Sequence, residues 1–331
     1  MSLSDAEIER AASVLRGGGL VAFPTETVYG LGADATNPRA VRRIFEAKGR
    51  PTSHPLIVHV ARAEALVELA AHVPHAATVL AERFWPGPLT LIVERGPRVH
   101  PGVTGGQPTV AIRVPAHPVA LALLDAFGAP VAAPSANRFG AVSPTTAEHV
   151  RRDLGARVDL VLEGGPAEVG LESTIVDVTS DPPRVLRPGG IPNEAVAAAL
   201  QLPPEALGLG GSAVRAPGML PSHYAPRARL ELTTAGELAA RMEELGRTRV
   251  RVGVFAPRTA QLPEGSAPVP AAFVPAPTEP EAYARALYAS LRELDEGADV
   301  ILVVPPEERG IGVAVLDRLR RAAAPRVTGA D

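Results

Sequence analysis

The sequence predicts an α/β protein with two domains, a larger one with a mixed sheet and a smaller one with three layers. Strand and helix signals alternate through the first two hundred residues, which is typical of an α/β fold. Adjacent predicted strands such as 89–94 and 109–114 have no helix between them, so the first sheet must contain antiparallel pairs. A stretch rich in proline and glycine follows, and a compact α/β pattern resumes after it. The predicted boundaries are 1–202 for the first domain, 203–228 for the linker and 229–331 for the second domain.

Apolar periodicity locates the elements of the first domain. Alternating or short apolar runs indicate strands, and apolar residues spaced three and four apart indicate helices. Ser4 and Glu7 have the pattern of a capping box for the first helix, and Thr145 is the predicted N-cap of helix 146–154. The predicted strands are 20–25, 56–60, 89–94, 109–114, 130–133, 158–163, 172–179 and 184–187. The predicted helices are 4–16, 38–48, 62–71, 75–84, 117–127, 145–154 and 192–200.

In the second domain, helices separate most of the strands, which predicts a parallel sheet with helices on both faces. We interpret Gly310-Ile311-Gly312 as an ordinary helix start, the alternative being a phosphate-binding turn. The domain has no histidine or lysine, and no catalytic cluster is predicted there. Its predicted strands are 229–233, 250–255, 270–274 and 299–304, and its predicted helices are 235–245, 279–296 and 312–323.

Composition excludes several classes of chemistry. The chain has no cysteine, which rules out disulfides, thiolate nucleophiles, iron–sulfur clusters and cysteine-based zinc sites. Its 36 acidic and 33 basic side chains are spread evenly, so no polybasic arm indicates nucleic-acid binding. No signal peptide is recognisable, and no apolar run reaches the roughly 20 residues of a membrane span. We therefore expect a soluble cytoplasmic protein without membrane contact.

Lys48 is the only lysine, since the other 32 basic residues are arginines. A lysine kept among arginines suggests a need for a compact ammonium, as in phosphate ligands or activated amines, although drift in composition is the alternative. Lys48 and Arg50 would share one face of an extended segment whose geometry Pro51 restricts. Paired cations of this kind suit a triphosphate, and no Walker A pattern is present.

Two ionisable residues interrupt apolar strands. His59 lies in Leu56 to Val60 and is either a core histidine with its hydrogen bonds satisfied or a donor to a small polar ligand. Arg113 lies in Val110 to Val114, where a guanidinium needs an anionic partner. The residues leave open whether that partner is an acidic side chain of the protein or a carboxylate of a ligand.

Other polar clusters lie at the ends of apolar strands, where ligands often bind. In Pro24 to Gly32, Gly30 and Gly32 match half of a dinucleotide fingerprint, but Ala35 replaces the third glycine and we reject that reading. Trp85 and its prolines indicate a packed corner. The sequence has no serine-hydrolase or zinc-protease motif and no metal-ligand spacing, so no protein metal site is predicted. The cations, hydroxyls and amide of the polar clusters suit electrostatic stabilisation of phosphoryl-type chemistry. The remaining clusters are Ala133 to Asn137, Ser143 to Thr145, Glu172 to Thr174 and Leu186 to Gly189.

Taken in order, these clusters resemble the threonylcarbamoyl-AMP synthase family, the YrdC-like proteins in their longer two-domain form. The resemblance covers the first 226 residues and is specific because nine short motifs occur in register. The motifs are PTETVYGLG (24–32), KGRP with PLIVHV (48–60), FWPGPLT (84–90), AIRVP (111–115), APSAN (133–137), SPT (143–145), ESTIVD (172–177), LRPG (186–189) and APGMLPSHYAP (216–226).

The resemblance implies a nucleotidyltransferase. L-threonine, bicarbonate or CO2, and ATP would give threonylcarbamoyl-adenylate and pyrophosphate, with Mg²⁺ held mainly by the ATP phosphates. A separate tRNA threonylcarbamoyl transferase complex would pass the group to the adenosine beside the anticodon, and weak direct contact with tRNA stays open. The expected fold is an open twisted mixed sheet with a concave cationic face, followed by a Rossmann-like second domain.

The resemblance also implies roles for individual residues. Lys48 and Arg50 would be catalytic, and the linker would cover the site, with Tyr224 closing over the nucleotide. His59 and His223 are the candidates for taking a proton from the threonine amine. The residues implied for threonine are Thr27, His59, Arg113, Ser135 and Ser173. The residues implied for ATP are Lys48, Arg50, His54, Thr109, Asn137, Ser143, Thr145, Arg187 and Tyr224, with Ser143 a near alternative to Thr145.

Three alternatives compete with this reading. An RNA-binding module would need a basic face, which the even charge disfavours. A carbamoyl-transfer domain of hydrogenase maturation proteins would be joined to cysteine-rich zinc modules, and this chain has no cysteine. A non-catalytic threonine or nucleotide sensor would keep the binding residues without turnover.

Overall fold

The computed structural model describes residues 3–210, 213–248, 250–260 and 270–325. The chain forms two compact units. The first extends to Met219 without residues 140–142, and the second contains residues 140–142 together with the chain from Leu220 onward. The division between the units falls inside the segment predicted as a linker.

A ten-stranded mixed sheet forms the centre of the first unit, with the strand order β10-β9-β8-β4-β5-β3-β6-β2-β1-β7. Strands β4 and β5 pair antiparallel, whereas β3 and β5 pair parallel, which confirms the mixed sheet predicted from the missing helix between β4 and β5. The strands are β1 (Val21–Phe23), β2 (Gly30–Asp34), β3 (Ile57–His59), β4 (Leu89–Glu94), β5 (Thr109–Arg113), β6 (Val131–Ala132), β7 (Leu160–Val161), β8 (Thr174–Asp177), β9 (Arg184–Arg187) and β10 (Gly208–Leu209).

The helices of this unit begin and end with conventional caps. Ser4 and Glu7 form the predicted capping box, with reciprocal side-chain and backbone hydrogen bonds. Thr146, and not Thr145, caps the helix that follows, because the Thr146 hydroxyl accepts from the His149 amide; the prediction for Thr145 was wrong by one residue. The helices are α1 (Asp5–Arg16), α2 (Pro38–Lys48), α3 (Ala65–Leu69), α4 (His75–Phe84), α5 (Pro118–Phe127), α6 (Ala147–Leu154) and α7 (Asn193–Ala199).

Strand β2 was missed from the sequence because glycine weakens the strand signal. Gly32 lies in this strand, and a Cβ there would come within 2.8 Å of the Phe23 and Val131 side chains. Close packing therefore explains why residue 32 is glycine, which agrees with the rejection of a dinucleotide fingerprint. Trp85 occupies the predicted packed corner, where it is buried and donates from its indole nitrogen to the Leu89 carbonyl at 2.8 Å.

Alternation along the central strands gives the sheet one apolar face and one face that mixes polar with apolar residues. Val58, Leu91 and Ile112 belong to the core that also contains residues of helices α2, α4 and α7. The opposite face contains a smaller apolar cluster that includes Ile57 and Ala111. Most of the predicted site residues on the central strands belong to this second face, since they alternate with the core residues: His59, Thr109 and Arg113.

The second unit has a four-stranded parallel sheet in the order β11-β14-β12-β13. Helix α8 packs on one face, and Tyr283 of α9 packs on Phe255 of the other face with ring centroids 4.8 Å apart. The three-layer arrangement is as predicted, and the last helix begins at Gly312. Its elements are β11 (Arg229–Leu232), α8 (Leu238–Gly246), β12 (Val252–Ala256), β13 (Ala272–Pro275), α9 (Pro280–Asp295), β14 (Val300–Val303) and α10 (Gly312–Ala323). Over the described ranges, no helix combines the length and apolarity needed to cross a membrane.

The packing at Gly32 can be tested by substitution. Gly32→Ala should destabilise the first unit by about 1–3 kcal/mol, because the added methyl group forces rigid neighbours apart. Urea unfolding followed by fluorescence of Trp85, the only tryptophan, would measure the loss. Gly17→Ala is the matched control, since the nearest atoms would be 3.5 Å from its Cβ, and an equal loss in both variants would contradict the packing argument.

Candidate active site

Backbone hydrogen bonds join three of the polar motifs around strand β2. The Ala136 amide donates to the Tyr29 carbonyl at 2.8 Å, and the Tyr29 amide donates to the Pro144 carbonyl at 2.9 Å. The Leu31 amide donates to the Pro134 carbonyl at 2.8 Å. The motifs at 24–32, 133–137 and 143–145 therefore lie together, although more than a hundred residues separate the first from the others.

Lys48 lies at this junction. Its Nζ donates to the carbonyl oxygens of Ser135 and Asn137, both at 2.6 Å, and the side chain is buried. Helix α2 ends at Lys48 because Gly49 adopts the left-handed conformation with φ of 65°, which turns the chain away from the helix. Burial lowers the pKa of the Lys48 ammonium well below its usual range, and the charge of Arg50 lowers it further. A nearby anion would oppose both effects.

Arg50 and His54 lie beside Phe139. Arg50 is buried, donates from Nη2 to the Pro55 carbonyl at 2.9 Å, and places its guanidinium 5.5 Å from the Phe139 ring centroid. The His54 ring meets the same phenyl ring edge-on at 5.2 Å. Burial lowers the pKa of His54, as do the charges of Arg50 and Arg215, so the imidazole is mainly neutral at pH 7.

His59 and Arg113 are neighbours, because they are register partners on the parallel strands β3 and β5. Burial and then the Arg113 charge lower the pKa of the His59 imidazole to about 3. Its Nδ1 is buried, with no hydrogen-bond partner in the part of the chain that the structure describes. This unpartnered nitrogen favours the reading of His59 as a ligand-binding residue, which stays a prediction.

Arg113 has an acidic side chain of the protein as one partner, and a carboxylate of a ligand stays open as a second. Nη2 lies 2.7 Å from Oε1 of Glu26, and both side chains are buried. The Nε group donates to the Gly87 carbonyl at 3.3 Å, and Oε2 of Glu26 accepts from the Ala116 amide at 3.1 Å. The motif at 24–32 contains this acid, and the sequence alone assigned it no role.

Ser173 and Arg187 form a second buried group. Arg187 Nη2 donates to the Ser173 carbonyl at 2.8 Å and to its Oγ at 3.0 Å, while Thr90 Oγ1 lies 2.7 Å from the same Oγ. Gly189 must be glycine here, because a Cβ would come within 2.3 Å of the Ser173 carbonyl carbon. Thr90 was missed from the sequence, because it lies inside an apolar strand with no polar neighbour.

Ser143 and Thr145 contact different partners. Ser143 donates from Oγ to Oε1 of Glu172 at 2.6 Å, and both residues are buried. The Thr145 amide donates to Nδ1 of His149 at 3.2 Å. Glu172 is a second buried acid that the sequence motif contained without an assigned role.

Within the first unit, part of the predicted linker packs on the sheet face that carries His59, Thr109 and Arg113, called the polar face below. Arg187 Nη1 donates to the Pro217 carbonyl at 3.0 Å. The side-chain amide of Gln107 pairs with the Arg215 backbone. Its Oε1 accepts from the Arg215 N–H at 2.7 Å, and its Nε2 donates to the Arg215 carbonyl at 2.9 Å. Ala216, with Val214 and Met219, joins the apolar cluster on this face of the sheet.

Tyr224, the remaining residue predicted for ATP, belongs to the second unit. Its backbone has φ of 62°, and its buried ring stacks on Tyr288 with centroids 6.0 Å apart. The Arg318 guanidinium lies 5.0 Å from the Tyr224 ring centroid. The role of Tyr224 at the nucleotide stays a prediction.

The arrangement is suited to holding anions. Lys48, Arg50 and Arg187 each donate to main-chain carbonyls, which hold these cations in place. Within the described ranges, histidine, aspartate and glutamate form no group of three that could hold a metal ion.

Comparison with known proteins gives matches along almost the whole chain. A sequence model of the Sua5/YciO/YrdC family, described as telomere recombination, matches residues 13–189. A second model, described as the C-terminal domain of threonylcarbamoyl-AMP synthase, matches residues 191–324. Together the two models span both compact units.

Individual relatives are similar over their full length. A threonylcarbamoyl-AMP synthase of Pyrococcus abyssi (strain GE5 / Orsay) is 44% identical, covering 97% of this chain and 95% of the relative. A Bacillus subtilis (strain 168) protein of the same name is 42% identical, covering 99% and 96%. The crystal structure of P. abyssi Sua5 complexed with L-threonine matches with a TM-score of 0.88 at 42% identity, covering 98% of this chain and 96% of that one.

The neutral state of His59 predicts a pH dependence of stability. Its folded pKa, about 3, lies below the usual 6.5 or so, hence the unfolded chain binds a proton first and this stability is lost as the pH falls from about 6.5 towards 3. Between pH 7 and 4.5 the loss from this residue should be about 2–3 kcal/mol.

Urea unfolding at pH 7 and at pH 4.5, followed by Trp85 fluorescence, would measure this loss in the free energy of unfolding. His59→Gln should lose less stability on acidification than the unsubstituted protein, whereas His72→Gln, at an exposed position, should behave like it. Identical acid sensitivity in all three proteins would show that His59 titrates normally.

Proposed function

Because the chain belongs to the Sua5/YciO/YrdC family, we propose that its first unit binds L-threonine and ATP on the polar face of the mixed sheet. The chain is an ATP-using nucleotidyltransferase that forms threonylcarbamoyl-AMP. The observation that carries this assignment is the full-length similarity to two-domain relatives of that name. The product supplies the threonylcarbamoyladenosine modification of tRNA, through a downstream transferase complex.

The reaction has two steps. The neutral threonine amine bonds to the carbon of CO2 and releases a proton to water, which gives a carbamate, and a carbamate oxygen then attacks the α-phosphorus of ATP. The bond from the α-phosphorus to its bridging oxygen breaks, and pyrophosphate leaves with the electron pair. Negative charge increases on phosphate oxygens, so the main contribution of the protein is positioning and electrostatic stabilisation.

We assign threonine to the region around His59 and Arg113. Glu26 pairs with Arg113, and Arg113 is the register partner of His59, so these side chains lie close together. Thr27 is the next residue after Glu26 and belongs to the same proposed set. A pKa of about 3 makes His59 a poor base for an ammonium group. His59 would therefore orient threonine by hydrogen bonding. Ser135 and Ser173 complete the proposed set.

We assign the nucleotide to the region around Lys48. The Lys48 ammonium lies between the carbonyls of Ser135 and Asn137, next to Arg50, and phosphate oxygens would restore the charge that burial disfavours. ATP would enter as its magnesium complex. The other residues in this proposal are His54, Thr109, Ser143, Thr145, Arg187 and Tyr224.

The segment from Val214 to Met219 would act as a cover. It packs on the same sheet face, and its Pro217 carbonyl accepts from Arg187, one of the proposed ATP residues. Excluding water would protect threonylcarbamoyl-AMP, a mixed anhydride that hydrolyses readily. ATP and tRNA are cytoplasmic, and we expect the enzyme to work there.

The activity is tested by pyrophosphate release from ATP and Mg²⁺ with bicarbonate, with and without L-threonine. Release should require both threonine and bicarbonate, and L-serine should substitute poorly. A protein that binds ATP and threonine without releasing pyrophosphate would instead be a sensor.

Lys48 provides the sharpest test of the proposed site. Lys48→Ala should abolish adenylate formation, because the substitution removes the ammonium that lies between the Ser135 and Asn137 carbonyls. Circular dichroism and Trp85 fluorescence would check that the variant folds. Arg39→Ala, at an exposed position of the same helix, is the matched control and should retain activity. Full activity of the folded Lys48 variant would remove Lys48 from the mechanism.

A further inference from the structure

Glu26 is the only carboxylate that pairs with Arg113 among the described residues, and both of its oxygens are used. Oε1 lies 2.7 Å from Arg113 Nη2, while Oε2 accepts the Ala116 amide at 3.1 Å. The Glu26 carbonyl in turn accepts the Val169 amide at 2.8 Å. Glu26 is thus held at its backbone and at its carboxylate, so it can act as a rigid support.

Arg113 is held at two of its three nitrogen atoms. Nη2 donates to Glu26 and Nε donates to the Gly87 carbonyl at 3.3 Å. In the described part of the chain, Nη1 has no hydrogen-bond partner. A guanidinium is planar, so fixing Nε and Nη2 also fixes the direction of the Nη1 donors.

We propose that Glu26 is a positioning residue that orients Arg113 so that Nη1 meets the carboxylate of L-threonine. The proposal rests on the threonine-binding role proposed for Arg113. In this proposal Glu26 contacts neither the threonine amine nor the α-phosphate of ATP. It acts by holding the guanidinium plane in place before the substrate binds.

Two effects of Glu26 have opposite signs. Its negative charge weakens the attraction of Arg113 for a second carboxylate, so removing the charge alone would tighten threonine binding. Its hydrogen bond removes rotamer freedom from Arg113 in advance, so losing the support would weaken binding. We expect the second effect to dominate, because Arg113 is a long side chain and its donors must be aligned to pair well with a carboxylate.

Two variants weaken the support in different ways. Glu26→Asp keeps the charge but draws the carboxylate back from Arg113, and Glu26→Gln keeps the length but loses one of the two acceptors, because its NH2 group cannot accept from the Ala116 amide. Each should raise the KM for threonine about 10-fold or more while the KM for ATP changes less than twofold. Glu94→Gln, at an exposed acid of β4, is the control and should leave both constants unchanged.

A second readout distinguishes positioning from a merely structural role. L-threoninamide lacks the carboxylate, so its binding does not depend on the salt bridge to Arg113. Calorimetric titration should show that both Glu26 variants lose affinity for L-threonine and lose little for L-threoninamide. An equal loss for both ligands, or a KM for threonine that falls or stays constant, would overturn the proposal.

Arg113→Ala tests the same coupling. If Glu26 acts through Arg113, adding Glu26→Gln to Arg113→Ala should raise the KM for threonine no further. An additive increase would show that Glu26 acts independently. Failure of the function itself would be separate and visible, since the unsubstituted protein would then release no pyrophosphate with threonine.

Discussion

The Lys48 ammonium lies buried between two main-chain carbonyls at 2.6 Å, and the rest of the site depends on how the fold holds it there. A buried cation is costly unless polar groups surround it. The carbonyls belong to the loop at 133–137, which hydrogen bonds tie to strand β2. Gly49 ends helix α2 directly after Lys48. Helix end, loop and strand therefore preorganise a position for an anion before any ligand binds.

Alternation along the central strands explains how the first unit can be both stable and reactive. One face of the sheet is committed to the main apolar core. The other carries a second apolar cluster with helices α1 and α5 and, on the central strands, buried polar side chains among a few apolar ones. The segment around Ala216 covers the apolar part of this second face. The same packing that shields isoleucine and leucine from water would also keep water from a labile adenylate.

Several residues of the candidate site stand out in the sequence because they interrupt regular patterns. His59 and Arg113 stand out as ionisable residues in apolar strands, and Lys48 stands out by composition. Glu26 was harder to assign, because its partner lies 87 residues away and the pairing depends on strand order. The predicted N-cap of helix α6 was wrong by one residue for a local reason. Thr145 and Thr146 are both suitable N-cap residues, and the backbone conformation selects Thr146.

The amino-acid sequence alone determined the absence of cysteine chemistry, the α/β class with a mixed first sheet, and the set of polar residues available for binding an anion. These follow from composition and periodicity, which need no knowledge of distant contacts. The tertiary structure decided which partner each cation meets. Arg113 forms an ion pair with Glu26, and Arg187 donates to Ser173 and Pro217. Strand pairing and loop packing bring these residues together although they are distant in the sequence.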